Sequence, residues 1–498
     1  MAAEHLLALD AGTSGARCLI ARPGDGPVAV VRREWSYETP PEIAPLGRSF
    51  DAEMFWSTLC EVTRQALAQA KLSGSDIAAV GVTSQRLGLV VIDGDGRSLH
   101  GMPNVDARAV IEGFSIDGRL AERVYGSTGK LPSLLLAPAK LQWLRNHDEA
   151  AWQRAVAVLA VGDWVAYRLT GELAAERSLA GDCGLLEITS RERDEALLRE
   201  LDVPPQFLQP LVSAGDVMGK VTPQAADETG LAVSTPVVIA GGDTQCALLG
   251  MGVEEVGEAG ISAGSSCPVQ QVTAEARLDP ERRTWAGLHV LPERWVVESN
   301  TGNAGEMWQW WCELLLGKSG EDLAEAASLV AQASPGSQNV FALLGPATMN
   351  AGAMGLHLGG VLMTTPLAVG SVGRAELLRA ALENIAYALR GNLEQAERVS
   401  ERPAQRVTLG GGMTLTAAFP RILADVLGRP IEVAPEVDAS ALGAAILAAR
   451  AVGMPDASLR PPMQRLEPEP PAVETYQRQY ERWQYVGEKL DEAMQEMP

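Results

Sequence analysis

The chain has 498 residues, 46% of them hydrophobic, and a formal net charge of −22. That length exceeds one core, so two sizeable domains are expected. The negative field argues against a nucleic-acid or anionic-membrane partner, while a phosphorylated ligand stays compatible if backbone donors and a metal ion offset the field locally.

In chain order, residues 6–11, 17–22 and 27–35 read as a strand meander. DAEMFWSTLCEVTRQALAQAKL (51–72) spaces its apolar residues as an amphipathic helix does. IAAVGVTS (77–84) reads as a buried strand, with LGLVVID (87–93) as its hairpin partner before the turn Gly94-Asp95-Gly96. VGDWVAYRLTGE (161–172) is a helix expected to be capped by Asp163 and stopped at Gly171. A loop-rich stretch follows to 235, then a buried strand over 235–243. Strands at 257–263 and 267–272 flank a Gly-Ser-Ser turn. VTLGGGMTLTAAFPRILADVLG (407–428) is strand, glycine turn and helix, and SALGAAILAARAVG (440–453) is a small-residue helix. Residues 457–475 read as a proline-rich linker before a charged terminal helix at 474–494. The alternation of strands and helices places the chain in the α/β class.

Cys18, Cys60, Cys183, Cys246, Cys267 and Cys312 are scattered, without the spacing of a structural zinc site or a disulfide framework, and are expected as buried thiols. No apolar run reaches a membrane span, and the N-terminus carries Glu4, His5 and Asp10, so a cytoplasmic protein is expected. LLGKSG (315–320) ends as a phosphate loop does, but Cys312 stands where such a loop needs its first glycine. A helix over 304–316 stopping at Gly317 is expected instead. No G-x-G-x-x-G opens a helix after the first strand, so a dinucleotide site is not expected.

Two hairpin turns repeat one device. LLALDAGTSGARCLI (6–20) places Asp10 against Gly12, Thr13, Ser14 and Gly15, and AGISAGSSCPVQQV (259–272) repeats the plan with Gly264, Ser265 and Ser266. Small residues let several amides point into one concavity and bind phosphate oxygens, although either turn alone is also an ordinary hairpin. Gly410, Gly411 and Gly412 form a third glycine site between a strand and a helix. Asp243, at the end of a buried strand behind Gly241 and Gly242, suits a general base or a helix cap. Asp10 needs a cation: either Arg17 across the hairpin or Mg²⁺. Arg86 in TSQRLG (83–88) and Asp106 with Arg108 in NVDARA (104–109) suit sugar hydroxyls or a surface salt bridge. Four of the eleven tryptophans fall at 295–311, as a stacking wall or as core.

The segments ALDAGTSGAR, GVTSQR, NVDARA, GDWVAYRLTGE, GGDTQ, AGSS and LGGGMTLTAAFPRILADVLG with SALGAAILAA occur in the order seen in the FGGY carbohydrate kinases, which the chain resembles over nearly its whole length. The resemblance implies two actin-like (ribonuclease H-like) ATPase domains with an interdomain cleft, set at 1–246 and 247–456, with 457–498 as linker and terminal helix. It implies ATP-dependent phosphorylation of a hydroxyl of a small sugar, ketose or polyol, with ATP and Mg²⁺ as cofactors. By the same resemblance Asp243 is the catalytic base and, with Asp10, faces the metal. Gln85, Arg86, Asp106, Arg108 and Thr244 surround the sugar. Gly12, Thr13, Ser14, Arg17, Gly264, Ser265, Ser266, Gly411, Gly412 and Met413 face the nucleotide.

The chain departs from family patterns in carrying Gln85-Arg86-Leu87 where xylulokinases usually show Gln-Met-His, and LLGPATMN (343–350) in place of a Glu-Arg-Ser/Thr-Pro segment. NVDARA and DWVAYRLTGELA look most like members acting on an open-chain five-carbon dihydroxyketone of the autoinducer-2 type; xylulose and ribulose are the related candidates. No nucleic acid or membrane is expected as partner, and a homodimer is compatible with the reading. The competing expectation is a non-catalytic actin-like ATP-binding switch or chaperone-type module.

Overall fold

The computed structural model describes residues 3–317, 323–353, 357–364, 371–435 and 437–496. Two units emerge, each built from three stretches of chain. Unit 1 comprises Met1–Glu254, Thr273–Val296 and Val437–Pro461; unit 2 comprises Glu255–Val272, Val297–Glu436 and Pro462–Pro498. The division therefore differs from a single break near residue 246. Segment 437–461 returns to unit 1, and the terminal segment belongs to unit 2.

Unit 1 is centred on a six-stranded sheet in the order Val217–Lys220, Pro236–Gly242, Ile77–Ser84, His5–Ala11, Gly15–Arg22, Gly26–Glu34. Its three central strands are parallel and its flanking strands antiparallel. The opening strand is buried on both faces, as central parallel strands are. Strand alternation decides what each side chain meets. Leu7 and Leu9 join the core beneath helix Ala52–Ala70, whereas Leu6 and Ala8 join the core beneath helix Ala439–Ala451. Asp10 continues the second series, so it points toward that helix.

Helix Ala52–Ala70 starts at Asp51, whose carboxylate accepts from the amides of Glu53 and Met54 at 2.8 and 3.2 Å. Its buried stripe of Phe55, Trp56, Leu59, Val62 and Ala66 covers the sheet. On the other face, helix Ala439–Ala451 crosses helix Asp243–Gly250 closely. A Cβ at Gly443 would stand 1.9 Å from the Cys246 carbonyl oxygen, so only glycine admits this crossing.

Several expectations are corrected here. Leu89–Asp93 does not pair with Ile77–Ser84; it forms a separate three-stranded sheet with Ser98–Met102 and Ala155–Ala160. Gly94-Asp95-Gly96 is the turn of that other hairpin. Helix Val161–Thr170 does end at left-handed Gly171, but its N-cap is Ala160. Asp163 lies buried in the first turn and accepts the Glu176 amide at 3.0 Å. The helix at 439–451 packs on the first sheet because its alanine and glycine faces suit close contact there.

Unit 2 carries a sheet in the order Trp295–Asn303, Ser266–Thr273, Glu258–Ser262, Arg406–Gly410, Ile431–Val433, Gln464–Leu466. It repeats the plan of a hairpin beside a parallel strand. The expected linker instead supplies the edge strand Gln464–Leu466 and then helix Pro470–Glu496, which buries Tyr476, Tyr480 and Trp483 in the core. Helix Gly305–Leu316 ends at left-handed Gly317, as expected; Lys318, Ser319 and Gly320 of the phosphate-loop lookalike lie outside the described residues. Trp308 and Trp311 are core residues, while Trp310 is exposed. All six cysteines are free and buried.

Candidate active site

Strand register creates the first charged group of unit 1. Asp10 and Arg17 are cross-strand partners, and Arg17 Nη1 meets Asp10 Oδ2 at 3.0 Å. Arg17 Nε also reaches Asp438 at 3.0 Å, and the Ser440 hydroxyl lies 2.5 Å from Asp10 Oδ2. The structural cation that Asp10 needs is therefore present. The same partners leave Asp10 Oδ1 buried with no hydrogen-bond partner. Burial raises the Asp10 pKa despite Arg17.

The adjacent turn is fixed by aromatic donors. Trp35 Nε1 and the Tyr37 hydroxyl both donate to the Thr13 carbonyl, at 3.2 and 2.6 Å. Asn104 Nδ2 donates to Thr13 Oγ1 at 2.7 Å, and the Gly12 amide closes on the Gly15 carbonyl at 3.1 Å. The Thr13 and Ser14 amides have no acceptor among the described residues. They are the donors an oxyanion would use.

Asp243 is the first residue of helix Asp243–Gly250, with Gly242 as N-cap, so the expected capping role is not realised. Its Oδ1 accepts the Thr244 amide at 2.8 Å. Burial, and then the Asp10 carboxylate, push its pKa up to about 7, against the attraction of Arg86 and Arg17. A half-buried carboxyl balanced near neutrality has the character of a general base.

Arg86 lies just beyond strand Ile77–Ser84, in a turn where Leu87 adopts a left-handed φ of 64°. Its Cγ passes within 3.0 Å of the position a Gly242 Cβ would take, next to Asp243. Its guanidinium approaches Asp182 at 3.8 Å. Thr244 donates its hydroxyl to Gln245 Oε1 at 2.9 Å, and Gln245 Nε2 donates to Asp182 at 2.8 Å.

Asp106 and Arg108 are buried, which rules out a surface salt bridge. Arg108 Nε donates to Asp106 Oδ2 at 2.7 Å, and the Arg48 amide donates to Asp106 Oδ1 at 2.8 Å. The pair clamps the 45–48 loop onto the 104–108 loop. Gln85 joins this loop to the first turn: its Oε1 accepts the Asn104 amide at 2.9 Å, and its Nε2 donates to the Tyr37 hydroxyl at 3.2 Å. Lys140, fully buried, donates to the carbonyls of Leu87 and Pro103 at 2.9 and 3.2 Å and so ties both loops together. The sequence reading missed Lys140, Asp182, Lys130 and Ser440, which no local pattern marks.

In unit 2, the Gly264–Ser266 turn is held by the Gly305 amide on the Gly264 carbonyl at 3.1 Å, and Ser265 and Ser266 are exposed. Gly411 has φ of 99°, and a Cβ there would stand 2.5 Å from the Ala263 carbonyl oxygen. Strand exit and hairpin turn can approach only because it is glycine. Gly412 is exposed, whereas the Met413 side chain is buried in the core beside Cys267. Met413 therefore has only backbone to offer a ligand.

No cluster of three or more His, Cys, Asp or Glu with metal-ligand geometry occurs among the described residues. A Mg²⁺ ion does not require one, since it is commonly held by one or two carboxylates, waters and substrate phosphates. The free Oδ1 of Asp10, beside a carboxyl it pushes toward neutrality, fits that mode of binding.

These features can be set beside known proteins. The N-terminal domain pattern of the FGGY family of carbohydrate kinases matches residues 5–250, and the C-terminal domain pattern matches residues 259–452. The chain belongs to the FGGY family of carbohydrate kinases. It is similar to the autoinducer-2 kinase of Klebsiella pneumoniae subsp. pneumoniae, at 32% identity over 97% of this chain and 93% of that one. The autoinducer-2 kinase of Escherichia coli (strain K12) is 31% identical over 97% and 94% of the two chains. Among solved structures, the xylulose kinase from Rhodospirillum rubrum matches with a TM-score of 0.85 at 25% identity, covering 98% of this kinase and 99% of that chain. The two-domain actin-like α/β fold is thereby established, as is a carbohydrate kinase activity that transfers a phosphoryl group from ATP. The non-catalytic switch is not favoured. No helix among the described residues is long and apolar enough to cross a membrane.

Proposed function

We propose that this kinase phosphorylates a hydroxyl of a small open-chain sugar, of the five-carbon ketose or dihydroxyketone class, with Asp243 as general base. The observation that carries this is the position of Asp243: half-buried at a helix start, balanced near neutrality, with Arg86 alongside. The named activity of the autoinducer-2 kinases, and that of the xylulose kinase, favour such a substrate over glycerol.

Asp243 takes the proton of the attacking hydroxyl as the new O–P bond forms and the bond to ADP breaks. Arg86 and Thr244 orient the sugar beside it. Gln85, Asp106 and Arg108 act through the loops, since their polar atoms are engaged by the chain itself. The Thr13 and Ser14 amides stabilise charge on the transferred phosphoryl group, and Arg17 holds Asp10 beneath them. Gly264, Ser265, Ser266, Gly411 and Gly412, with the Met413 backbone, are assigned to the nucleotide. Asp10, with Asp243, would hold Mg²⁺, which neutralises phosphate charge when bound. The domain roles follow: unit 1, which carries Asp243, for sugar and base, and unit 2 for adenosine. A cytoplasmic enzyme is the setting in which ATP and a reduced set of thiols fit together, and a homodimer is compatible with this reading.

The test is ADP release from ATP with Mg²⁺ over xylulose, ribulose, the autoinducer-2 precursor, the matching alditols and glycerol. Turnover with a five-carbon ketose or dihydroxyketone supports the reading. Turnover with glycerol alone overturns it.

A further inference from the structure

Few partners hold the Asp243 side chain directly. Among the described residues its carboxylate accepts one hydrogen bond, from the neighbouring Thr244 amide. The place of this carboxyl is therefore set by the backbone that delivers it, the end of strand Pro236–Gly242.

That strand end is irregular. Its parallel register with Ile77–Ser84 runs from Ile239 opposite Val82 to Gly241 opposite Thr83, so Ala240 is an extra residue. Gly241 takes a left-handed φ of 96°, and a Cβ there would stand 2.6 Å from Ser178 Oγ and 3.0 Å from Glu176 Oε2. Side chains then hold three consecutive backbone positions. The Cys246 thiol donates to the Ala240 carbonyl at 3.2 Å, and the Thr83 hydroxyl donates to the Gly241 carbonyl at 2.8 Å. The Gly242 amide donates to Ser178 Oγ at 3.2 Å. Cys246, Thr83 and Ser178 are all buried.

Ser178 is itself oriented. Its hydroxyl donates to Glu176 Oε2 at 2.6 Å, and the same carboxylate accepts the Ser178 and Leu179 amides at 2.9 and 3.0 Å. A serine hydroxyl has one proton, so committing it to Glu176 leaves lone pairs facing the Gly242 amide. The Glu176 amide in turn donates to Asp163 Oδ1 at 3.0 Å. This chain of bonds ends at Gly242, one residue before Asp243. A regular parallel pair would satisfy the backbone from the ladder itself, without a buried carboxylate behind it. An extra residue in a strand re-aims the side chain that follows.

We infer that Ser178 and Thr83, with Glu176 behind Ser178, are positioning residues that lock the bulge at 240–242 and so aim Asp243 at the attacking hydroxyl. The inference rests on the proposal that Asp243 is the base. Because these residues act through Asp243, their loss should slow the chemical step and leave binding of both substrates in place.

The experiment measures kcat and KM on the full chain, with ATP and the sugar turned over fastest in the panel above. Ser178→Ala should lower kcat about 10-fold or more, with KM for sugar and for ATP within about 2-fold of wild type. Thr83→Val, which replaces the hydroxyl by a methyl group, should do the same. Thr83→Ser should keep kcat within about 2-fold of wild type. On the Asp243→Asn background, Ser178→Ala should change the residual kcat by less than about 2-fold, because the group it positions is gone. An equal fall on both backgrounds marks a merely structural serine and overturns the inference. Wild-type kcat in Ser178→Ala and Thr83→Val, with a native far-UV spectrum and cooperative melt, overturns it too. Should Ser178→Ala not fold, the contrast between Thr83→Val and Thr83→Ser decides alone. Wild-type kcat in Asp243→Asn overturns the proposed base itself, which is a separate outcome.

Discussion

Asp10 and Arg17 face each other across the first hairpin as register partners, joined at 3.0 Å through Asp10 Oδ2 alone. Ser440, delivered by the segment that returns to unit 1 near the chain's end, contacts the same oxygen. The two readings of Asp10 that the sequence left open, structural ion pair and metal-facing carboxylate, are thus compatible. One oxygen is anchored and the other is left free.

Removing Arg17 should test the anchored side. Arg17→Leu strands the fully buried Asp10 without its nearest cation, and Asp438 loses the same partner. Breaking a buried pair from one side costs about 3 kcal/mol or more. Urea denaturation of the variant is expected to show a loss of that order, with the far-UV spectrum unchanged in the native baseline.

The crossing of helices Asp243–Gly250 and Ala439–Ala451 should not tolerate one added methyl group. Gly443→Ala places a carbon against the Cys246 carbonyl and forces the two helices apart. Overpacking of this kind costs about 1–3 kcal/mol, and rigid backbone on both sides puts this case at the upper end. A thermal melt should report it, together with reduced turnover, because Asp243 sits at the start of the helix that must move.

Stability should also fall on mild acidification, through His289. Burial pushes its pKa down to about 4, while its Nε2 faces the Val253 carbonyl at 3.1 Å and its Nδ1 accepts the Leu291 amide. The unfolded chain binds the proton near pH 6.5, so folding is favoured above that pH and loses support as pH drops toward 4. Between pH 6.5 and 5 the loss from this one group is about 2 kcal/mol. Comparing denaturation of the wild type and His289→Gln at pH 7.5 and 5.0 isolates it: the variant should lose less.

Activity carries its own pH signature. Asp243 must be ionised to accept a proton, and its pKa lies at about 7. In the free enzyme, kcat/KM for the sugar should therefore rise with pH through about 7, falling roughly tenfold per unit on the acid side. A profile flat from pH 5.5 to 8 would show that another group accepts the proton.

Much of this architecture is legible in the residues. The strands at 5–11, 77–84 and 236–242 announce themselves because central parallel strands are continuous apolar runs, and the two hairpin turns because small residues interrupt them. Pairing is less legible. Leu89–Asp93 looks like a partner for the strand just before it, yet its register is set by Ala155–Ala160, more than sixty residues later. The proline-rich stretch after 457 hides the edge strand Gln464–Leu466 for a similar reason, as its partner Ile431–Val433 lies across a helix. Lys130, Asp182 and Lys140 are invisible in sequence because a single charge, whether in a loop or within a short helix, carries no period that marks it as buried. Only burial and neighbours give these residues a role.

The most direct test of the account is Asp243→Asn, which keeps the size and the helix start while removing the base. Two quantities should be read from the same preparation: kcat with the preferred sugar, and affinity for ATP by calorimetry. The account predicts a fall in kcat of about 10²–10⁴-fold with ATP affinity little changed, since a general base contributes to the chemical step and not to nucleotide binding. A variant that keeps wild-type kcat would contradict it and move the base to another residue.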